Sequence, residues 1–183
     1  MANTWEEFPT AVGIIDGAKT QINRPDNEPQ HEFYNGHSRV HCMSTQIIVD
    51  VNGNIVYVQS GFWGHTNDAA QFEFLPPVGP GLELDFPSEL CLLGDNGYAN
   101  NWPVLTKCKA NERRPNLDAA DRRMFNAAHA SRRIAVEHSI SYFKTYSAIA
   151  NIYRQERWFM PFVADVCACL AHRHIQLSHQ LRR

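Results

Sequence analysis

Two β-branched runs joined through Asn52-Gly53 constrain the fold more than any other part of this sequence. Residues 45–51 (TQIIVDV) and 55–61 (IVYVQSG) each have the composition of a β-strand. An Asn-Gly dipeptide readily adopts the positive φ angles that a tight two-residue hairpin turn requires. The sequence therefore predicts a β-hairpin, and with it a sheet that contains at least one antiparallel pair of strands.

Two short apolar runs, one before and one after the hairpin, predict the middle of this sheet. Residues 11–16 (AVGIID) and 90–95 (LCLLGD) are apolar without alternation, and each run ends in an aspartate. Uninterrupted runs of this length are typical of strands that helices cover on both faces. We therefore expect Asp16 and Asp95 at the ends of two central strands.

Helical patterns surround and follow the second apolar run. Residues 65–74 (HTNDAAQFEF) predict a short helix capped by Thr66 or Asn67. A long helix is predicted from residue 117 to about 149, because apolar residues recur there at helical spacing. A last helix is predicted from about residue 160 to 181, with one apolar stripe formed by Phe162, Val166, Cys169 and Leu170. This order of elements predicts an α/β domain, with a mixed sheet flanked by helices.

Composition limits the class of protein. No repeat or Ser/Gly linker divides the 183 residues, so we expect a single domain over residues 1–183, with surface loops at 23–32 and 76–87. No apolar run reaches the roughly 18 to 20 residues of a membrane helix. The five cysteines form no CxxC pair, which disfavours a disulfide framework or a zinc finger. We therefore expect a soluble, intracellular protein without a membrane partner.

Charge is unevenly divided along the chain. The balance of Lys and Arg against Asp and Glu is −10 over residues 1–100 and +8 over residues 101–183. The steepest part, residues 107–133, begins at Lys107, ends at Arg133 and has a balance of +5. Such segregation favours a polyanionic partner for the second half. The alternative is that the two halves form salt bridges with each other.

Three carboxylates are candidates for a metal site. Asp16 and Asp95 are followed closely by Gly17 and Gly97, which predicts that a ligand can approach the backbone there. Glu137 lies at the margin of the long helix's apolar stripe, so we expect it to face the sheet more than the solvent. If the three carboxylates converge, their oxygens suit Mg²⁺ or Mn²⁺. The alternatives are turn or capping aspartates and a contact between Glu137 and Arg133.

Two other groups of residues are weaker candidates. Residues 167–179 contain two cysteines and three histidines, but CxC and HxH on a regular helix point to different sides and do not chelate one ion. Trp63, Trp102 and Trp158 could stack on bases, although tryptophan more often serves as a buried anchor. We therefore expect core cysteines and a solvated histidine-rich tail, and we favour buried anchoring for the tryptophans.

Four segments together resemble a known family. In order, they are GIIDGAKTQINRP, FYNGHSRVHCMSTQIIVDVNGNIVYVQSGFWGHTND, LLGDNGY and NAAHASRRIAVEHSISYFK, and the resemblance extends over residues 11 to about 155. They resemble the DDE nuclease domain of PIF/Harbinger transposases and of domesticated nucleases derived from them. That family is a branch of the ribonuclease H-like superfamily. The resemblance implies a ribonuclease H-like, mixed five-stranded sheet flanked by helices.

The same resemblance implies which residues carry the site. Asp16, Asp95 and Glu137 correspond to the catalytic triad, and all three would bind a divalent metal, Mg²⁺ or Mn²⁺. Asp68 lies near the position of the family's His-Asp-Ser motif and is an additional candidate metal ligand. In this chain, however, two residues separate His65 from Asp68.

For function, the resemblance implies a transposase-type DNA endonuclease that cleaves phosphodiester bonds by a two-metal mechanism. We expect largely sequence-independent DNA binding through residues 107–133, since the chain begins close to its first strand. A separate DNA-binding protein is then an expected partner, and the expected location is nuclear, otherwise cytoplasmic. The alternative is a domesticated, non-catalytic DNA- or protein-binding module that keeps the fold. A phosphohydrolase with a small substrate is disfavoured by the basic stretch beside Glu137.

Overall fold

A computed structural model describes residues 4–75, 86–98, 102–109 and 118–181. Within these ranges the strands are β1 (Ala11–Gln21), β2 (Tyr34–Asn35), β3 (Val40–Asp50), β4 (Ile55–Trp63), β5 (Cys91–Leu93) and β6 (Val104–Leu105). The helices are α1 (Gln30–Phe33), α2 (Asp68–Phe72), α3 (Ala119–Phe143), α4 (Ser147–Ala150) and α5 (Met160–Leu181). Short 3₁₀ turns occur at Asn96–Tyr98 and Arg157–Phe159.

The strands form one mixed sheet around β1. Strand β1 pairs antiparallel with β3 and parallel with β5, which pairs parallel with β6. Strands β4 and β2 both pair antiparallel with β3. The predicted α/β class is confirmed, and the strand order is consistent with a ribonuclease H-like fold. A sixth strand joins the five expected, because the two residues of β2 are too few to give a strand pattern.

The predicted hairpin is confirmed between β3 and β4. Gly53 has a φ of +80°, and the side chain of Asp50 accepts hydrogen bonds from the backbone N–H groups of Asn52 and Asn54 at 2.8 and 2.9 Å. Both strands are longer than their β-branched runs. The turn therefore fixes the register between β3 and β4, and β1 pairs with the other side of β3.

The prediction that Asp16 ends its strand is wrong. Asp16 lies in the middle of β1, which continues to Gln21 because β3 pairs with it from Gly13 to that residue. Residues after Asp16 alternate between buried and more exposed, as in a strand with two different faces. A carboxylate followed by a glycine resembles a turn signal in the sequence, although here the two stay inside the ladder.

Helices cover the two faces of the sheet. On one face, Ile14 of β1 packs in a cluster with Val136 of α3 and Ala164 of α5. On the other, Ile15 packs with Phe72 of α2 and Tyr98 of the 3₁₀ turn. Neighbouring residues of β1 thus serve opposite layers, as the pleat of a strand requires. No helix in the described part of the chain is long and apolar enough to cross a membrane.

The helices differ from prediction in two respects. The long helix ends at Phe143, and a separate short helix, α4, follows after the turn at Lys144. In α5 the predicted apolar stripe does not face the core, since Phe162, Val166, Cys169 and Leu170 are exposed. The buried side consists of smaller residues for the most part: Ala164, Cys167, Ala168, Ala171 and Ile175. Small side chains let this helix lie close to the sheet, and the larger residues remain outside.

Two predicted loops can be compared in part. Residues 23–32 are irregular up to α1, as expected. Most of the second loop, residues 76–85, lies outside the described residues, as do residues 110–117 of the basic stretch. The short helix α2 is confirmed, with the side chain of Asn67 accepting a hydrogen bond from the N–H of Ala70 at 2.8 Å.

Candidate active site

The register between β1 and β5 brings Asp16 and Asp95 to the same level of the sheet. Ile14 is paired with Leu93 in this parallel ladder, and each aspartate follows its paired residue by two positions. The pKa of Asp16 is raised, chiefly by burial, and the negative charges of Asp95 and Asp68 contribute to the rise. Three aspartates therefore share one region near the C-terminal end of β5.

Asp68 enters the same region from the first turn of α2. A Cβ atom placed on Gly17 would lie 2.7 Å from Oδ1 of Asp68, and one placed on Gly97 would lie 3.0 Å from its Oδ2. The Gly97 Cβ would also lie 2.8 Å from Oδ1 of Asp95. The two glycines, which the sequence analysis assigned to the approach of a ligand, accommodate the Asp68 carboxylate in the structure.

A buried amide holds Asp68 in place. Gln46 of β3 is fully buried, and its Nε2 donates to Oδ1 of Asp68 at 3.2 Å and to Oε1 of Gln71 at 2.8 Å. Its Oε1 accepts a hydrogen bond of 2.5 Å from the hydroxyl of Tyr98. Since both ends of the amide are engaged, Gln46 has one orientation and presents an N–H to Asp68.

The closeness of these groups affects their protonation. Burial raises the pKa of Asp68, and the charge of Asp95 raises it further, against the hydrogen bond from Gln46. The pKa of the Tyr98 hydroxyl is raised well above its usual range by burial and then by Asp68, Asp16 and Asp95. Carboxylates in such a partly buried cluster are stabilised by a proton or by a cation.

Arg133 provides a cation from α3. Its Nη2 lies 2.8 Å from Oδ2 of Asp16, whose Oδ1 accepts from the N–H of Gly17 at 2.9 Å. Both side chains of the ion pair are mostly buried, with exposed fractions of 14% and 20%. The charge of Arg133 is the largest influence that opposes the burial effect on the pKa of Asp16.

Ion pairs between the two halves of the chain are present, as the alternative interpretation of the charge pattern required. Besides Arg133 with Asp16, Arg132 contacts Glu7 at 2.5 Å and Arg157 contacts Glu28. Each pair joins an arginine of the basic half to an acid of the acidic half. Part of the charge segregation is therefore internal to the fold.

Glu137 is placed differently from the prediction. It is exposed on α3, one helical turn after Arg133, and its neighbour Val136 is the residue that faces the core. The expectation that Glu137 faces the sheet more than the solvent is wrong, because the stripe that packs on the sheet passes through His129, Val136 and Phe143. The structure thus brings Asp16, Asp68 and Asp95 together and leaves Glu137 on the helix surface.

The carboxylates are not arranged as a complete metal-binding site. Among the described residues, no group of three or more His, Cys, Asp or Glu side chains is arranged to hold a metal ion. The chemistry of the donors nevertheless suits a hard cation, because carboxylate oxygens are the ligands that Mg²⁺ and Mn²⁺ prefer. Asp16 and Asp68, whose pKa values are raised chiefly by burial, fit this requirement.

A buried histidine lies near two basic residues, one of which belongs to this site. His129 is fully buried, and its Nε2 donates to the carbonyl of Leu105 at 3.2 Å. Its pKa is lowered, first by burial and also by the positive charges of Arg133 and Lys107. Lys107 and Arg133 therefore lie near the same imidazole, which remains neutral at physiological pH.

Sequence reasoning missed several residues of the site. Gln46 is a polar residue within an otherwise β-branched strand, and Tyr98 is the last residue of the motif LLGDNGY. Such a polar interruption was the available signal for Gln46, because a buried amide needs partners. The pairing of Arg133 with Asp16 spans 117 positions and has no local signal.

The remaining candidates are also located. Cys167 is buried and Cys169 is exposed, on different sides of α5, so the expectation of core cysteines is confirmed for Cys167 and wrong for Cys169. Trp63, Trp102 and Trp158 have exposed fractions of 50%, 56% and 69%, so the expectation that the tryptophans are buried anchors is wrong for these three. The ring of Trp63 stacks on that of His65, with a centroid distance of 6.0 Å.

A comparison with protein families finds a match over most of the chain. The sequence model of a family described as DDE superfamily endonuclease matches residues 15–172. This segment contains Asp16, Asp68, Asp95 and Glu137 and most of the described core. No curated protein and no solved structure matches the chain.

Proposed function

The chain belongs to the DDE superfamily endonucleases, and we propose that it is a metal-dependent DNA endonuclease of the PIF/Harbinger transposase type. The observation that carries the proposal is the cluster of Asp16, Asp68 and Asp95 around Gly17 and Gly97. Three partly buried carboxylates close together cost folding free energy, and such clusters are typical of functional sites.

Asp16, Asp95 and Glu137 are the proposed catalytic residues, and Asp68 is the proposed additional ligand of Mg²⁺ or Mn²⁺. Two bound ions would supply a water of lowered pKa and neutralise charge at the scissile phosphate. Glu137 would join from α3, where its exposed side chain is free to change rotamer. The other three acids already lie close together, on β1, on α2 and just after β5.

The surrounding residues prepare this site. The amide of Gln46 donates to Oδ1 of Asp68, so Oδ2, which lies near Gly97, remains available. Tyr98 fixes the amide of Gln46 from behind. Arg133 neutralises Asp16 when no other cation does, and its charge can also meet a phosphate. Each of these roles uses a contact that is already present, so none requires a change of backbone conformation.

DNA is the proposed substrate, bound through the Lys and Arg residues of positions 107–133. The described part of this stretch is tied to α3, since the side chain of Asn126 bonds to both the N–H and the carbonyl of Cys108, at 2.9 and 3.1 Å. Lys107 is thereby held near His129 and Arg133. We further propose a nuclear location and a separate DNA-binding protein as the source of sequence specificity.

The test is nicking of supercoiled plasmid DNA by the purified chain in Mn²⁺. Nicking that is lost in Asp95→Asn and in Glu137→Gln, and kept in Asp26→Asn, would support the proposal. Asp26 is an exposed acid outside the cluster and is therefore a matched control. No nicking by the wild-type chain in Mn²⁺ or Mg²⁺ would contradict it.

A second function has one specific observation in its favour. Glu137 is exposed, and Arg133 already compensates the charge of Asp16, which is what a fold kept without catalysis would show. This alternative is a non-catalytic DNA- or protein-binding module. It predicts salt-dependent DNA binding by the wild-type chain, without nicking and without stabilisation by Mn²⁺.

A further inference from the structure

The acidic half of the chain contains a small basic region of its own. Residues 1–100 hold three Lys and Arg residues, and two of them, Lys19 and Arg39, lie at the turn of residues 36–39 that joins β2 to β3. No Asp or Glu occurs in the sequence between Glu32 and Asp50. This segment can therefore approach a polyanion without repulsion from acids of its own.

A buried amide ties Lys19 to this turn. Asn35 is buried at the end of β2, and its Oδ1 accepts a hydrogen bond from Nζ of Lys19 at 3.2 Å. The same oxygen accepts from the N–H and from the hydroxyl of Ser38, both at 2.9 Å. At its other end the amide donates from Nδ2 to the carbonyl of Gly64 at 2.7 Å. Asn35 therefore has one orientation, and it holds the ammonium of Lys19 beside the turn.

Arg39 ends the turn in a fixed backbone conformation. Its φ of +57° is in the left-handed region, which is uncommon for residues other than glycine. A hydrogen bond of 2.7 Å from the N–H of Arg39 to the carbonyl of Asn35 holds it there. Arg39 is exposed and forms no ion pair with any of the described residues. Its guanidinium is therefore available to a ligand.

Lys19 also lies beside the aspartate cluster, on the same face of β1 as Gly17. The two residues are two positions apart, which places their Cα atoms about 7 Å apart along one side of the strand. A Cβ atom on Gly17 would lie 2.7 Å from Oδ1 of Asp68. Burial raises the pKa of Asp68, and the charge of Lys19 is one of the influences that oppose this rise. Lys19 is nevertheless beyond ion-pair distance of every carboxylate in the described part of the chain.

Lys19 is thus a partly buried cation that contacts a neutral amide rather than an acid. Its ammonium has three N–H donors, of which Asn35 accepts one. A divalent ion at Asp68 would take up the negative charge that now attracts Lys19. Because a partly desolvated ammonium needs a counter-charge, Lys19 would then favour another anion. A phosphate oxygen meets this need, since lysine binds phosphate as a point charge.

We propose that Lys19 and Arg39 bind backbone phosphates of a DNA strand that runs from the aspartate cluster toward the turn of residues 36–39. Lys19 holds the phosphate next to the cluster, and Arg39 holds one further along the strand. This inference rests on the proposed DNA substrate, and it adds a contact surface in the acidic half, apart from residues 107–133. Cations then approach the aspartates from two elements, Arg133 from α3 and Lys19 from β1.

The salt dependence of DNA binding tests this contact. Filter binding of the full chain to duplex DNA over a KCl series, at one fixed Ca²⁺ concentration, gives the log-log slope. Lys19→Met and Arg39→Met should each make the slope shallower by about 0.9 and weaken binding roughly tenfold near 0.1 M KCl, because each loses one phosphate contact. Lys144→Met is the control. It removes an exposed charge at the end of α3, about 16 Å along the helix from Arg133, and should leave the slope unchanged.

Lys19→Gln separates phosphate binding from a role in holding the turn. Its amide can still donate to Oδ1 of Asn35, but it carries no charge. We expect the same slope as for Lys19→Met, and urea unfolding verifies that both variants are folded. A wild-type slope in Lys19→Gln would overturn the proposal, because the hydrogen bond alone would then account for Lys19. An unchanged slope in Lys19→Met or in Arg39→Met would overturn it as well.

Nicking of plasmid DNA in Mn²⁺ separates this inference from the proposed endonuclease activity. A chain that shows these slope changes but does not nick would contradict the endonuclease and support the phosphate contact. A chain that nicks, with slopes unaffected by Lys19→Met and Arg39→Met, would overturn the contact alone. A wild-type chain that does not bind DNA would overturn both.

Discussion

Nη2 of Arg133 lies 2.8 Å from Oδ2 of Asp16, so a helix supplies the counter-charge of an aspartate in the middle of the central strand. The same oxygen is one that a divalent cation would use. Arg133 and a metal ion therefore compete for Asp16. Because an arginine remains protonated at any physiological pH, this competition depends on metal concentration rather than on titration of the arginine.

Arg133→Gln should bind Mn²⁺ several-fold more tightly than the wild-type chain, because the competing cation is removed. Without metal it should be less stable by about 1–3 kcal/mol, since Asp16 keeps its charge and loses its partner. Calorimetric titration with Mn²⁺ and urea unfolding measure the two effects. Arg132→Gln, which breaks the more exposed pair with Glu7, is the control and should leave Mn²⁺ affinity unchanged. Unaltered or weaker Mn²⁺ binding by Arg133→Gln would refute the competition.

Asp68→Asn should raise the thermal midpoint at neutral pH in the absence of metal, by about 2–4 °C for a gain of 1 kcal/mol in a chain of this size. The reason is the repulsion from Asp95, while an asparagine oxygen still accepts from Gln46. The folded-state pKa of Asp68 is raised, so protonation stabilises the folded wild type as pH falls through that pKa. The advantage of Asp68→Asn should therefore shrink toward acidic pH. An advantage that grows on acidification would contradict this, and Asp26→Asn should show none.

Gln46→Leu should destabilise the fold by about 2–4 kcal/mol, because it leaves the Tyr98 hydroxyl and Oε1 of Gln71 without their partner. Tyr98→Phe removes one hydrogen bond of the network and should cost less, about 1–2 kcal/mol. Urea unfolding of the two single variants and the double variant measures the coupling between the residues. Strictly additive effects would mean that the two side chains do not act together.

The DNA affinity of the chain should fall with salt, with a log-log slope of about −0.9 for each phosphate neutralised. Arg122→Ala/Arg123→Ala should flatten this slope without altering stabilisation by Mn²⁺, because neither residue lies in the aspartate cluster. Filter binding over a range of KCl concentrations is the measurement. A slope unaffected by the double replacement would place the DNA elsewhere on the protein.

Sequence patterns within single segments were enough to predict the secondary-structure elements that carry the site. The hairpin at Asn52-Gly53 and the helix after Asn67 follow from turn and capping chemistry within a few residues. The aspartate at the end of the apolar run 90–95 follows from the hydrophobic pattern. In each case the physical cause lies within the segment itself, so the sequence is sufficient.

The rest of the site depends on contacts between distant segments. The length of β1 is set by β3, and the approach of Asp68 to Gly17 depends on where α2 packs. The orientation of α5 was mistaken because both of its sides are apolar, and the choice between them depends on which fits closely against the sheet. Periodicity cannot make that choice, because it records hydrophobicity and not the space available.

Gly17 has a consequence for how inactive relatives of this chain would be recognised from their sequences. A methyl group at position 17 would lie 2.7 Å from the Asp68 carboxylate, and that carboxylate would have to turn away. A chain with Gly17→Ala would keep every acid of the site and still lose its arrangement. A check for the acidic residues alone would then class the site as intact, although one added methyl group had disrupted it.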